Sequence, residues 1–223
     1  MKLYKVLDPA PGIVALEQRL MRELLLKKQV LWLIPGGSNI PASVEVMQAI
    51  PDELTSGLTI LLTDERYGPP GHSDSNWQQL QERGFDPKHA KATPVLQDRL
   101  SLEATRTRYD QLLAKAFRKA DYIIGQFGVG ADGHIAGILP QSPATEATDF
   151  AAAYLAAPYE RITMTFPAIK HLNLAFVMAF GVEKQQALED LADKSLDPSD
   201  QPVQIIKQLP QAEVYNDCIG NNA

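Results

Sequence analysis

The sequence predicts an α/β domain built on a mostly parallel, doubly wound sheet. Three observations carry this reading. Val30-Leu-Trp-Leu-Ile34, Leu58-Thr-Ile-Leu-Leu62 and Tyr122-Ile-Ile-Gly-Gln-Phe127 are short apolar runs of strand length. Runs of this kind suit strands covered on both faces of a parallel sheet. Each ends abruptly in small or polar residues, and segments with helical spacing lie between them. Alternation of strand and helix is the pattern of an α/β sheet.

Each element follows from local pattern. Ile13 to Lys28 reads as an amphipathic helix, with Leu16, Leu20 and Leu24 spaced along one face. Strand 30–34 stops at Pro35-Gly36-Gly37-Ser38, and Pro41 to Ile50 forms the next helix, with proline in its first turn. Strand 58–62 runs straight into Thr63-Asp64-Glu65-Arg66, and a Gly-, Pro-, Ser- and Asp-rich loop follows from Tyr67 to Ser75. Asn76 to Arg83 is a short helix, and Ser101 caps a longer one that ends near Lys119. Strand 122–127 leads into Gly128-Val-Gly-Ala-Asp-Gly-His134. Residues 141–160 read as loops with some strand. Arg161 to Phe166 alternates and passes through Pro167 into a helical turn. Leu172 to Phe180 is a strand, Val182 to Ala192 a helix, and Glu213-Val-Tyr215 a last strand.

The chain has 223 residues, enough for one substantial domain, and 1–223 is read as one. Lys plus Arg number 21 and Asp plus Glu 27, a net charge of −6, which argues against a nucleic-acid partner. A small anionic ligand needs only a local cluster of donors. No apolar stretch approaches the ~20 residues of a membrane span, and the first residues lack an apolar signal-peptide core. The single cysteine, Cys218, cannot form an intramolecular disulfide. A reducing, cytoplasmic setting is the expectation.

In open sheets of this kind ligands sit outside the carboxyl ends of the strands. Three loops lie at such ends: 35–38, 64–76 and 128–140. Gly36-Gly37-Ser38 offers backbone N–H groups, a hydroxyl and a helix start to an anion, and also fits a plain strand-to-helix turn. Gly128-x-Gly130-x-x-Gly133 matches the dinucleotide fingerprint, but Pro140 leaves little room for the helix that fingerprint must open. The loop instead exposes Asp132 and His134, two residues apart, the spacing of a candidate acid–base pair. Asp64-Glu65-Arg66 puts three charges at the rim of the sheet, where a carboxylate acts as base or orients a partner. A solvated strand end or an internal ion pair fits them equally. His72, His89, His134 and His171 lack metal-ligand spacing, and there is no Walker A loop, His-Glu-x-x-His or Gly-x-Ser-x-Gly.

Four segments together resemble one family. They are Leu33-Ile-Pro-Gly-Gly-Ser38, Thr63-Asp-Glu-Arg-Tyr-Gly-Pro-Pro-Gly-His-Ser-Asp-Ser-Asn76, Gly128-Val-Gly-Ala-Asp-Gly-His-Ile-Ala136, and Arg161-Ile-Thr-Met-Thr-Phe-Pro167 with Gly181-Val-Glu-Lys184. The family is the 6-phosphogluconolactonases, in the superfamily shared with glucosamine-6-phosphate deaminase. The resemblance implies a single-domain Rossmann-like fold and a hexose-6-phosphate ligand. It implies hydrolysis of 6-phospho-D-glucono-1,5-lactone to 6-phosphogluconate, a step of the pentose phosphate pathway, without cofactor or metal. The catalytic residues implied are His134 as base, Asp132 as its support, and Asp64. Those implied to bind substrate or phosphate are Gly36, Gly37, Ser38, Arg66, Gly130, Arg161 and Lys184. The oligomeric state stays open.

The resemblance also bears on the choice of branch. The deaminases usually have Asp-Glu-Tyr where this chain has Asp64-Glu65-Arg66, and a glutamate five residues after the loop histidine, where this chain has Leu139. Ile135 is the deaminase-like residue. Two features depart from the lactonase pattern: Asn39-Ile40-Pro41 adds a residue to the phosphate loop, and Ala156-Ala-Pro-Tyr-Glu160 carries no lysine. An isomerase or deaminase of amino-sugar phosphates, with Asp64 abstracting the C2 proton, and a non-catalytic sugar-phosphate sensor are the alternatives.

Overall fold

The computed structural model describes residues 1–222. Its centre is an eight-stranded sheet in which every neighbouring pair is parallel. In chain order the strands of this sheet are β1 (Lys2–Lys5), β2 (Val30–Ile34), β3 (Leu58–Leu62), β5 (Lys91–Ala92), β6 (Tyr122–Phe127), β9 (Leu174–Ala179), β10 (Ala212–Asn216) and β11 (Asn221–Asn222). Across the sheet they run β11-β1-β10-β9-β6-β2-β3-β5. From β2 the chain winds outward through β3 to β5, returns to β6 on the other side of β2, and continues to β9 and β10. The winding therefore reverses between β2 and β6. At such a point the loops leaving two adjacent strands diverge and open a crevice.

The remaining strands, β4 (Asp64–Arg66), β7 (Ala151–Ala156) and β8 (Tyr159–Met164), form a small antiparallel sheet in the order β4-β8-β7. Thr63 joins the two sheets. Its N–H donates to the carbonyl of Ile34, and its own carbonyl accepts from the N–H of Met164. The helices are α1 (Ala10–Leu25), α2 (Ile40–Ala49), α3 (Asn76–Glu82), α4 (Leu102–Lys119), α5 (Phe166–Ile169) and α6 (Gln185–Asp193).

The helices form where the spacing predicts and for the expected reasons. Leu16, Leu20 and Leu24 of α1 are buried, and α1 packs against α2. The Ser101 hydroxyl accepts from the Ala104 N–H and caps α4. The Ser75 hydroxyl does the same for α3 through Gln78. Helix α1 starts at Ala10, earlier than predicted, because prolines are tolerated in a first turn that lacks N–H partners anyway. The predicted helix from Val182 splits into a tight turn, Val182–Lys184, followed by α6.

Every residue of β2 is buried, Trp32 completely. Burial of one such large apolar side chain contributes roughly 1.5–3 kcal/mol. A mostly parallel α/β sheet is thus what the chain forms. The additions are β1, β4, β5 and β11; β7 and β8 give bounds to the strand expected within 141–160 and the alternation from Arg161.

Candidate active site

Strand β4 shows how the site is built. Side chains alternate along a strand, so Asp64 and Arg66 share one face and Glu65 takes the other. Asp64 and Arg66 line a cleft of about 320 Å³ at the carboxyl edge of the large sheet. Glu65 turns inward and is fully buried. Its Oε1 accepts from the N–H of Arg66 (2.8 Å) and Asn76 (2.6 Å). Its Oε2 accepts from the Ser75 hydroxyl (2.9 Å) and the Trp77 N–H (3.1 Å). Burial pushes the Glu65 carboxyl above its ordinary value, while these donors pull the other way. Of the two bland readings open to Asp64-Glu65-Arg66, neither holds: Glu65 clasps the far end of its own loop.

That clasp brings Asn76 over the first loop. Asn76 Nδ2 donates to the carbonyl of Asp64 at 3.0 Å, and its side chain lies so close to Gly36 that a Cβ there would overlap it. Gly36 is needed for close approach, and Gly37 for its φ of 63°. Gly37, Ser38 and Asn39 begin the helical stretch that becomes α2. Its first N–H groups have no acceptor within the helix, and their residues line the cleft.

The third loop does not open a helix: Ile135 bridges back to Ile138, which removes the dinucleotide reading. His134 Nδ1–H donates to Asp132 Oδ1 at 2.6 Å. This bond holds the Asp132 carboxyl below the usual carboxylate range. An ionised carboxylate can only accept, so Nδ1 carries the proton and Nε2 of the neutral ring keeps its lone pair. Gly130 lies directly against the ring, where a side chain would collide with it. The Gly137 N–H donates to Thr163 Oγ1 at 2.9 Å and ties this loop to β8.

Gly36, Gly37, Ser38, Asp64, Arg66, Gly130, His134, Arg161 and Lys184 all line the one cleft, as the fold rule requires. Asp132 stands behind His134 rather than in the wall. Asn39 and Asn76 also line the cleft. Asn39 Nδ2 donates to the carbonyl of Met178 at 3.1 Å and so anchors the first loop to β9. Leu139 is not among the lining residues. Arg66, Arg161 and Lys184 bring three cations to a cleft whose only lining carboxylate is Asp64. Among the described residues, none of the three is within 4.0 Å of a carboxylate. On a chain of net charge −6, this is a local excess of positive charge.

Fold and cleft together define a parallel α/β protein that gathers three cationic side chains and a carboxylate-held histidine at its topological switch point. A family model described as glucosamine-6-phosphate isomerases/6-phosphogluconolactonase matches residues 14–215, and the chain belongs to that family. It is 26% identical over 216 residues to a 6-phosphogluconolactonase of Synechocystis, covering 91% of this chain and 87% of that one. A crystal structure of 6-phosphogluconolactonase from Thermotoga maritima superposes with a TM-score of 0.81 at 19% identity, covering 96% and 98% of the two chains. A monomeric glucosamine-6-phosphate deaminase superposes nearly as well, with a TM-score of 0.78 at 19% identity and 97% of each chain. The fold is thus shared with structures of both names.

Proposed function

We propose that this cleft hydrolyses 6-phospho-D-glucono-1,5-lactone to 6-phosphogluconate, the lactonase step of the pentose phosphate pathway, with His134 as general base. The chain is an enzyme of the 6-phosphogluconolactonase type. The observation that carries the reading is His134, held by Asp132, facing a cleft with three cations that no carboxylate among the described residues pairs.

A δ-lactone is an activated ester, so water suffices as nucleophile. His134 Nε2 takes a proton from water as the oxygen bonds to C1. The tetrahedral oxyanion collapses with cleavage of the C1–O5 bond, and the imidazolium returns its proton to O5. Proton transfer of this kind contributes typically ~10²–10⁴-fold. Asp132 fixes the tautomer and stabilises the imidazolium. Arg66 binds the substrate beside Arg161, and Gly130 leaves room for the imidazole, its own N–H being already donated to the His134 carbonyl at 3.0 Å. Gly36, Gly37, Ser38, Arg161 and Lys184 hold the phosphate, so binding energy remote from C1 aligns the reacting centre. Asp64, buried at the cleft wall, orients the sugar.

Two features favour the lactonase over the deaminase branch. Arg66 occupies the third position of its loop, and apolar Leu139 takes the sequence position, five residues after His134, at which the deaminases usually carry a glutamate. One continuous buried apolar cluster supports reading 1–223 as a single domain. No helix among the described residues is long and apolar enough to cross a membrane. We assign a cytoplasmic site of action on the lone cysteine and a soluble sugar-phosphate substrate, and assign no nucleic-acid partner on the acidic balance.

The test is hydrolysis of freshly made lactone, followed by coupled oxidation of the product and corrected for spontaneous opening. The folded protein should accelerate the reaction in proportion to its concentration. A rate equal to that of buffer would remove the proposal and leave a sugar-phosphate sensor as the better reading.

A further inference from the structure

Strands β4 and β8 pair in a register that sets Arg66 directly opposite Arg161. Like charges opposite one another across an antiparallel pair repel. Neither guanidinium is within ion-pair distance of a carboxylate among the described residues. Arg66 Nη1 donates once, to the carbonyl of Asp74 at 3.0 Å. The Nε–H groups of both arginines are buried without an acceptor. Some other group must hold the pair in place.

Tyr159 meets that need. It lies two residues before Arg161 on β8, and so on the same face of the strand. Its ring lies under both guanidinium groups, with the central carbon of Arg66 5.1 Å and that of Arg161 6.0 Å from the ring centroid. Both distances are within reach of a cation–π interaction. The Tyr159 hydroxyl approaches Asp74 Oδ1 at 3.5 Å, on the residue whose carbonyl holds Arg66.

We propose that Tyr159 is a positioning residue: its ring face holds Arg66 and Arg161 side by side, against their repulsion, so that they receive a dianionic phosphoryl or carboxylate-bearing ligand together. Tyr159 itself does not line the cleft, so it acts through the two arginines. The inference rests on the reading of the cleft as a sugar-phosphate site. It requires an electron-rich ring and not a hydroxyl, and this separates it from a packing role.

The experiment compares Tyr159→Phe, Tyr159→Leu and Tyr159→Gln with the wild-type chain. Two readouts are used: steady-state lactone hydrolysis, and calorimetric binding of 6-phosphogluconate and of inorganic phosphate. Phe should keep KM and both dissociation constants within about twofold. Leu and Gln should weaken both ligands and raise KM by on the order of 3–30-fold, with a smaller change in kcat. Circular dichroism identifies a variant that fails to fold, and the other non-aromatic variant then decides. Equal binding in Phe, Leu and Gln would overturn the proposal. So would a loss in Phe as large as in Leu, which would transfer the role to the hydroxyl and Asp74. If the wild-type chain binds these anions without hydrolysing lactone, the activity assigned above fails. The binding series then still tests Tyr159.

Discussion

Replacing Glu65 by glutamine isolates the clasp on which the cleft depends. The carboxylate accepts from three backbone N–H groups and one hydroxyl, while a glutamine amide keeps a single acceptor oxygen. The favourable orientation leaves the carbonyl toward Arg66 and Asn76 and turns the NH₂ toward Ser75 and Trp77. The serine hydroxyl can rotate to accept, but the Trp77 N–H then faces another donor. A buried donor left unpaired costs about 1–3 kcal/mol, and the two surviving bonds each lose roughly 1 kcal/mol with the charge. Burial outweighs these donors in the Glu65 pKa, so relief of desolvation offsets the lost charge assistance, and the unpaired donor leaves a net loss of about 1–3 kcal/mol. In a domain of this size that lowers Tm by roughly 2–12 °C. The pH dependence adds a second signature. Burial raises the folded-state pKa of Glu65, so the native chain holds this proton more tightly than the unfolded chain does. The associated stability is fully present below the ordinary glutamate value and is lost as pH rises through the interval up to the folded value. Glu65→Gln should lack that decline. Calorimetric melts of both proteins at several pH values measure both effects. A variant melting within a degree of wild type would refute the account of the clasp.

His134→Asn should fold normally yet lose roughly 10²–10⁴-fold in kcat, because the amide cannot take a proton at neutral pH; wild-type kcat in the folded variant would pass the role of base to Asp64. Lys184→Ala should raise KM with a smaller effect on kcat, and an unchanged KM would place the phosphate on the arginines alone. No ammonia should be released from glucosamine 6-phosphate in a coupled assay, and robust release would mean that a group other than residue 139 supplies the ring-opening carboxylate. The hydrogen bond from His134 lowers the pKa of Asp132, so its contribution to stability is present above the ordinary aspartate value and lost as pH falls through the depressed one. Acid unfolding of Asp132→Asn should lack that part of the curve.

The central strands were readable because both faces of β2, β3, β6 and β9 are covered, which writes a continuous apolar run into the chain. Strand β1 has lysine at both ends and takes both its partners from the far end of the chain, so no local pattern announces it. The small sheet was only partly legible, for another reason. Asp-Glu-Arg has little strand propensity, and Ala151–Ala156 is mostly alanine, so cross-strand pairing with β8 and packing on α4 decide their conformation. The same gap explains what was missed at the site. The rule of strand ends gathers residues 36–38, 64–66 and 128–134 without coordinates. Which of three adjacent charges faces inward is settled only once β4 is known to alternate. For Tyr159 the one available signal is its two-residue spacing from Arg161, and that signal means nothing until the segment is known to be a strand.

The placement of β1 has a consequence for how the molecule is made. Lys2 pairs with Glu213 and Lys5 with Asn216, while Tyr4 also pairs with Asn221. Strand β1 therefore leaves the ribosome roughly two hundred residues before its partner β10. At about 5–20 residues per second the delay is on the order of ten seconds or more. During that time β2, β3 and β6 can pair among themselves, whereas β9 and β10 arrive later and β1 must be held back from pairing elsewhere. Its two lysines do this, since a short strand with charged ends is a poor template for stray association. Closure of this edge is the most non-local event in folding, and by the link between contact order and rate it should be among the slowest.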